Sequence, residues 1–406
     1  MADLKVNFLG VDFKNPVIAA SAEPTASLAN MRRVIENGAG GLVVKTVTDS
    51  EAMRKLSFQT RWRFFDEEHK VCRGTVPRLF TLYGRTGLHE DKPEVWLKEI
   101  EKARQTGDKE GCVIIGSIAS TYVEGWVKLA KMTEETGVRM LEINLGCPHP
   151  SQMEETKTGM VVGQDKKLAT EIVKVITSNI SIPLIVKLTP QVVDLVDMAR
   201  GVKDAGAAAV TIMNRFVGFL VDVEKAAPHI YGAAGVGGPW MKPLTLRWIY
   251  EIYRNLGMPM TGSNGVYDGR DVVEYMMAGA TVVQTCSATM AEGYGWLGKT
   301  VREANDLLDS LGYKTAREVI GVAAEKALRY AEMERFRKER AEVDDELCVL
   351  CGRCIDACFY NVLKIDGDRL TVGECRGCGV CTCICPQKAI SFRDGTEPAE
   401  KEGARG

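Results

Sequence analysis

The sequence predicts an α/β protein: a (β/α)8 barrel, the TIM barrel, followed by a small cysteine-dense domain. Two observations carry this. Short β-branched apolar runs alternate with longer amphipathic stretches over residues 1–312, and nine of the 13 cysteines fall between Cys348 and Cys385.

The runs are PVIAAS (16–21), GLVVK (41–45), CVIIGS (112–117), MLEIN (140–144), PLIVKL (183–188), AAVTIM (208–213), MPMTGS (258–263) and TVVQTC (281–286). Buried parallel strands read as such continuous apolar runs. Helical patterns lie between them. Asp165 can cap the helix KKLATEIVKVITS, and Pro243 can open LTLRWIYEIYRNL with Gly257 closing it. Eight alternations suggest the barrel. An open doubly wound sheet competes, but it needs a Gly-rich turn after the first strand, where the chain reads ASAEPT.

The rhythm breaks at residues 46–92, a gap rich in arginine and aromatics (Arg61, Arg63, Arg73, Arg78 and Arg85 among them). An excursion this long is either functional or carries extra strands. Residues 313–343 turn charged and helical in pattern and are expected to be a linker helix. Residues 344–393 form the cysteine-dense domain, and 394–406 are expected to be a disordered tail.

Lys+Arg total 52 against Asp+Glu 54, a net charge of −2, which argues against an electrostatic grip on nucleic acid or acidic lipid. No apolar run approaches the roughly 18 residues of a membrane helix. MADLKVNFLG lacks the basic and apolar regions of a secretory signal, so a cytoplasmic location is expected. In a reducing compartment dense cysteine points to metal.

Cys348, Cys351, Cys354 and Cys358 read C-x2-C-x2-C-x3-C, as do Cys375, Cys378, Cys381 and Cys385, and Pro386 follows the last. This spacing is that of two 4Fe–4S clusters. Three thiolates come from one tight loop and the fourth crosses from the other half. Cys348, Cys351, Cys354 and Cys385 would hold one cluster; Cys375, Cys378, Cys381 and Cys358 the other. Gly352, Gly377 and Gly379 leave backbone N–H groups free to approach the sulfides. Two four-cysteine zinc sites are the alternative, which the third cysteine and the x3 spacing fit poorly. Cys383 belongs to neither set and reads as a free thiol. Clusters carry single electrons and no substrate chemistry, so the barrel is expected to hold a redox centre that converts single electrons to pairs, a flavin.

Active residues of a barrel sit at the C-terminal ends of its strands. Those ends carry Ser21, Lys45, Ser117, Asn144, Lys187, Asn214, Ser263–Asn264–Gly265 and Thr285–Cys286–Ser287. A lysine beside the flavin N1/C2 carbonyl stabilises the reduced anion, and asparagine satisfies donors and acceptors of a planar ring. The loops after strands seven and eight are where barrels bind phosphate. Cys147, just beyond strand four, is placed to protonate a substrate stacked on the flavin. A free thiol has a pKa near 8.5 and is mostly protonated at neutral pH. The plainer reading makes Cys147 a small core residue, and His149 reads more readily as structural.

NLGCPHP, VGQD (162–165), VKLTP (186–190) and QTCSA (284–288), with NPVIAASAEPT and VVKT, resemble the dihydroorotate dehydrogenase superfamily over nearly the whole chain. The double cysteine run narrows the likeness to the flavin and iron–sulfur catalytic subunit of bacterial dihydropyrimidine dehydrogenase. The resemblance implies FMN in the barrel, with Ala20, Ser21, Lys45, Asn144, Lys187, Asn214, Gly237, Gly238, Ser263, Asn264, Gly265, Cys286 and Ser287 at cofactor positions. It implies Cys147 as acid/base and Asn144 and Asn214 at the substrate. Four positions depart from the pattern. Thr81 stands where an asparagine belongs, Arg215 follows Asn214 in place of threonine, Asn264 replaces a glycine, and Gly146 replaces a serine. Thr81 and Arg215 would both touch substrate, and an arginine there suggests an anion.

The expected activity is reduction, or formation, of a carbon–carbon double bond conjugated to a carbonyl in a planar small molecule, a pyrimidine or a carboxylated ene. No NAD-binding GxGxxG is seen directly after a strand of the chain, so an FAD/NAD(P)H-oxidising partner subunit or ferredoxin is expected as donor, with a homodimer as the assembly. A barrel that has lost catalysis and only passes electrons is the alternative of a different class, and dihydroorotate dehydrogenase itself is a third.

Overall fold

The computed structural model describes residues 2–147, 158–329, 332 and 339–393, so His149 lies outside the described residues, as do 330, 331 and 333–338 of the 313–343 segment and all of 394–406. The chain forms two compact units, Met1–Ala327 and Leu328–Gly406.

All eight apolar runs become strands: Val17–Ala19, Gly41–Val43, Val113–Ile118, Leu141–Asn144, Leu184–Lys187, Ala209–Ile212, Met260–Ser263 and Val282–Thr285. Each pairs in parallel with the next, and the last pairs with the first, closing the barrel. Helices cover it because their apolar stripes have nowhere else to go; in Pro93–Glu110 the buried residues Trp96, Leu97, Ile100 and Ala103 mark that stripe. Local chemistry sets the helix ends. Asp165 accepts a hydrogen bond from the Leu168 N–H at 3.0 Å and starts Lys166–Thr177. Pro243 lies in the first turn of Lys242–Leu256, which Gly257 ends in the left-handed region at φ 53°.

The 46–92 excursion contains a helix, Glu51–Lys55, and a hairpin, Arg61–Phe65 with Thr81–Arg85. Thr81–Arg85 also pairs with Ala234–Gly237, which pairs with Phe216–Gly218, making a four-stranded antiparallel sheet. Its own small core is Phe65, Tyr83, Ile230, Ala234 and Val236. Trp62 and Leu82 of this sheet line the same cavity as the strand ends, so the sheet walls the barrel mouth.

The linker-helix expectation for 313–343 is corrected. The segment opens with a 3-10 turn, Ala316–Val319, and a five-residue helix, Val322–Lys326, separated by Gly321 at φ 80°. At its other end Arg340–Val343 is a strand, antiparallel to Ile390–Arg393, because Ala341 and Ile390 both go into the small unit's core.

The C-terminal unit is a tandem repeat. Its cysteine runs are offset by 27 residues, Cys348 to Cys375, and the backbone repeats with them. Positive φ recurs at Leu350 and Gly377, at Gly352 and Gly379, and at Asn361 and Lys388. Short helices follow in each half, Arg353–Asp356 and Val380–Ile384, and a hairpin of Leu363–Asp366 and Arg369–Val372 lies between.

Candidate active site

A cavity of about 890 Å³, counted to its open mouth, lies at the C-terminal end of the barrel strands. Small-molecule sites run to roughly 300–1,000 Å³. Ala20, Ser21, Lys45, Asn144, Cys147, Lys187, Asn214, Arg215, Gly237, Ser263, Asn264, Gly265, Cys286 and Ser287 all line it. Gly238 and Thr81 are not among the lining residues. Thr81 pairs with Phe65 in the hairpin, and its neighbour Leu82 faces the cavity instead. None of the six arginines of 46–92 lines it; Trp62, between Arg61 and Arg63, does.

Lys187 Nζ donates to Gln284 Oε1 at 3.2 Å and stands 3.7 Å from Glu142 Oε1. Glu142 Oε2 accepts from Gln284 Nε2 and from Thr211 Oγ1, each at 2.7 Å. Glu142 is fully buried, and a buried carboxylate persists only when paired and hydrogen-bonded. The pair fixes the lysine at the cavity floor. Glu142 and Gln284 escaped the sequence reading, although a charged and an amide side chain inside apolar runs were the available signal.

Lys45 Nζ donates to Glu23 Oε1 at 3.1 Å and to Thr86 Oγ1 at 3.0 Å, and Thr86 Oγ1 donates to Glu23 as well. Burial alone would raise the Glu23 carboxyl; the Lys45 charge and the hydrogen bonds from Thr86 and Lys45 outweigh it and hold the group below its ordinary range. Lys45 is thus a neutralised cation. Glu23 sits in the 3-10 turn directly after the first barrel strand, and Thr86 directly after the excursion's second strand.

On the opposite side Asn214 Nδ2 donates to Asn144 Oδ1 at 3.2 Å. Arg215, next in sequence, lays its guanidinium over the Trp62 ring at 4.7 Å and donates from Nη1 to the carbonyls of Gly84 and Gly235, both at 3.1 Å. Burial pushes the Cys286 thiol up to about 11, the Glu23 charge adding to it and Arg215, Lys187 and Lys45 opposing.

Several observations fit FMN in this cavity. Asn264 and Gly265 adopt consecutive left-handed conformations, φ 79° and 84°, so the loop after strand seven turns its backbone back on itself as phosphate-holding loops do. A Cβ on Gly265 would stand 2.6 Å from the Lys242 backbone nitrogen, so Gly265 tolerates no side chain, and one on Gly237 would stand 2.8 Å from Asn264 Oδ1 and displace that amide. Thr285 Oγ1 is buried in the cavity wall with no partner among the described residues, as a polar ring edge would require.

In the C-terminal unit the cysteines gather four and four. Cys348, Cys351, Cys354 and Cys385 line one cavity of about 380 Å³, and Cys358, Cys375, Cys378 and Cys381 line another of about 340 Å³. Backbone N–H groups approach the sulfurs: Gly377 N to Cys375 Sγ at 3.4 Å and Ala389 N to Cys385 Sγ at 3.3 Å. Burial would raise the Cys358 thiol, yet amides of Val362, Tyr360, Leu363 and Asn361 lower it, favouring the thiolate that ligates metal. Among the described residues no three His, Cys, Asp or Glu side chains converge closely enough for one metal ion. Each set of four thiols lines a space of its own. Cys383 is exposed and lines neither cavity.

Comparison with known proteins agrees with this architecture. A family model described as 4Fe-4S binding domain matches residues 341–364. The dihydroorotate dehydrogenase B (NAD(+)) catalytic subunit of Methanocaldococcus jannaschii is 29% identical over 327 residues, covering 79% of this chain and 98% of that protein. The subunit of the same name from Thermoplasma acidophilum is 28% identical over 324 residues, 80% and 99% of the two chains. Among the described residues no helix is long and apolar enough to cross a membrane. The model of the dihydroorotate dehydrogenase family matches residues 3–308, the whole barrel with its strand-end site, and the chain therefore belongs to that family.

Proposed function

We propose that this chain is an iron–sulfur flavoprotein that reduces, or in reverse forms, a carbon–carbon double bond conjugated to a carbonyl in a planar substrate. The reaction is of the dihydropyrimidine dehydrogenase kind. Bound FMN supplies a hydride equivalent to an electron-poor alkene and accepts electrons singly or in pairs. Lys187, Lys45, Asn144, Asn214 and the 263–265 and 286–287 loops hold it. Cys147 delivers the proton to the carbon beside the one that receives hydride, so two electrons and two hydrogens are transferred in all. Lys187, its charge fixed by Glu142 and Gln284, stabilises negative charge at the cavity floor.

Two 4Fe–4S clusters, held by the two cysteine sets, pass electrons one at a time. The repeated backbone of the C-terminal unit supports two. The donor outside the chain is an FAD-containing, NAD(P)H-oxidising subunit or a ferredoxin, and the protein works as a homodimer.

The observation that carries this reading is the gathering of Cys147, both strand-end lysines and both asparagines around one cavity. The test is anaerobic: photoreduce the protein, add pyrimidines or unsaturated carbonyl compounds, and follow flavin absorbance. Reoxidation with stoichiometric saturated product is expected from at least one class. Protein that holds reduced flavin unchanged against both classes is an electron carrier instead. Arg215 in the cavity favours a second reading of the substrate, an anionic ene.

A further inference from the structure

The two strand-end lysines are compensated differently. Lys187 Nζ stands 3.7 Å from Glu142 Oε1, beyond hydrogen-bond reach, and donates to Gln284. Lys45 Nζ is hydrogen-bonded to its carboxylate, Glu23 Oε1 at 3.1 Å, and to Thr86 Oγ1 at 3.0 Å. An ammonium has three N–H groups. Two of those on Lys45 are committed, and among the described residues the third has no partner and is left for the cavity that Lys45 lines.

The backbone holds Glu23 in this place. Its 3-10 turn, Glu23–Thr25, follows strand one directly, and Pro24 fixes φ inside it. The Thr25 carbonyl accepts the Lys45 N–H at 3.3 Å, and Asn30 Nδ2 donates to the Glu23 carbonyl at 3.0 Å, so the turn is tied to the end of strand two and to the helix Leu28–Glu36. Glu23 Oε2 is buried with no partner among the described residues, so the carboxylate serves Lys45 and Thr86 only. Glu23 does not line the cavity, but Cys286 does, and the Glu23 charge adds to the upward push that burial gives the Cys286 thiol. The field of the carboxylate therefore enters the space where a ligand sits.

Two-electron reduction of a flavin with uptake of one proton leaves one added negative charge on the ring. A bare lysine beside the ring stabilises that charge; a lysine hydrogen-bonded to its own carboxylate does so far less.

We propose that Glu23 is a positioning residue of the flavin site: it turns one Lys45 N–H to the cavity and cancels the charge of that lysine, so that bound FMN is a stronger reductant than Lys45 alone would leave it. The hydride step of the reaction proposed above is thereby biased toward reducing the double bond. The inference rests on that reading, in which FMN fills the cavity.

The test is an anaerobic reductive titration of the holoenzyme against a reference dye, reading the flavin band. Glu23→Gln is expected to favour reduced flavin at least about tenfold, ~30 mV upward for a two-electron couple. Glu23→Asp keeps the charge, and Glu23→Gln combined with Lys45→Gln removes both charges; each is expected to stay within about threefold of the unaltered protein. A pair that only braced the wall would lower the unfolding temperature in Glu23→Gln and leave the potential in place. An unmoved or lowered potential in Glu23→Gln, or a rise as large in Glu23→Asp or in the double variant, overturns the proposal. Should Glu23→Gln shed its flavin, the step from Lys45→Gln to the double variant reads the same charge and is expected to be upward by about tenfold; no step overturns the proposal. Protein that never holds flavin sinks the reading of the site itself, whereas bound flavin whose potential ignores Glu23 sinks this inference alone.

Discussion

The barrel and the C-terminal unit keep their shapes by opposite means. The barrel has a large continuous core, with Trp96, Trp126, Tyr275 and Phe13 almost fully buried, and its two strand-end lysines are each paired with a carboxylate. Among the described residues the core cluster of the C-terminal unit is Ala341, Cys354, Leu363, Leu370, Cys381 and Ile390, and two of them are cysteines. A core that small supplies only a few kcal/mol at best. In the barrel the fold makes the site; in the small unit, on the reading proposed above, bound iron would make the fold, because metal-binding energy there is folding energy.

The sharpest way to break this contrast is to remove the iron. Chelation under denaturant-free conditions, or Cys354→Ala, is expected to unfold residues 340–393 and leave the barrel cooperative. Limited proteolysis with mass spectrometry checks it, and a protease-resistant iron-free C-terminal unit would refute it. Next in size is Cys147→Ala, expected to keep flavin and fold while turnover falls by about 10²–10⁴. Stopped-flow flavin reoxidation measures it, and full turnover removes the acid role. A smaller effect concerns the barrel's buried pair. Glu142→Ala is expected to cost about 3–5 kcal/mol, since Lys187 would be left buried beside no charge. Urea unfolding of the barrel reads this, and Glu142→Gln should raise the flavin potential at a lower cost in stability.

The smallest effect is a pH dependence. His89 stacks on Trp96 at 3.7 Å, donates from Nε2 to the Ala26 carbonyl at 3.1 Å and accepts the Asp91 N–H at Nδ1 at 3.2 Å. Burial lowers its pKa below 6.5, with Asp91 opposing. The unfolded chain therefore binds the proton first. Stability is full above about 6.5 and declines as pH falls below it. A thermal-unfolding series from pH 8 to pH 5.5 should show that decline, and His89→Gln should flatten it.

The barrel was legible because buried parallel strands leave unbroken apolar runs, and all eight were readable within two residues of their ends. The grouping of the cysteines four and four was legible because it is written in their spacing. The wall of the cavity was not. Its sheet joins Thr81–Arg85 to Ala234–Gly237, segments about 150 residues apart with no local mark of their pairing. Successive strand residues face opposite ways, so a one-residue question of register separates Thr81, the expected substrate contact, from Leu82, the residue that lines the cavity. Trp62 could have been found from the alternation of exposed arginine and half-buried aromatic in RWRFF. Glu23 could not, because only the fold brings Lys45 and Thr86 to it. Residues 340–343 read as helix from their charge, and the tertiary pairing with 390–393 made them strand.

The central claim is that thiolate-held iron and a flavin share this chain and exchange electrons. The direct measurement is an anaerobic purification followed by iron, sulfide and FMN analysis and a stepwise reductive titration read by EPR and visible absorbance. About eight irons and one FMN per chain are expected, with cluster and flavin signals equilibrating in the same titration. Colourless protein, zinc in place of iron, or clusters that reduce fully while the flavin never responds would contradict it.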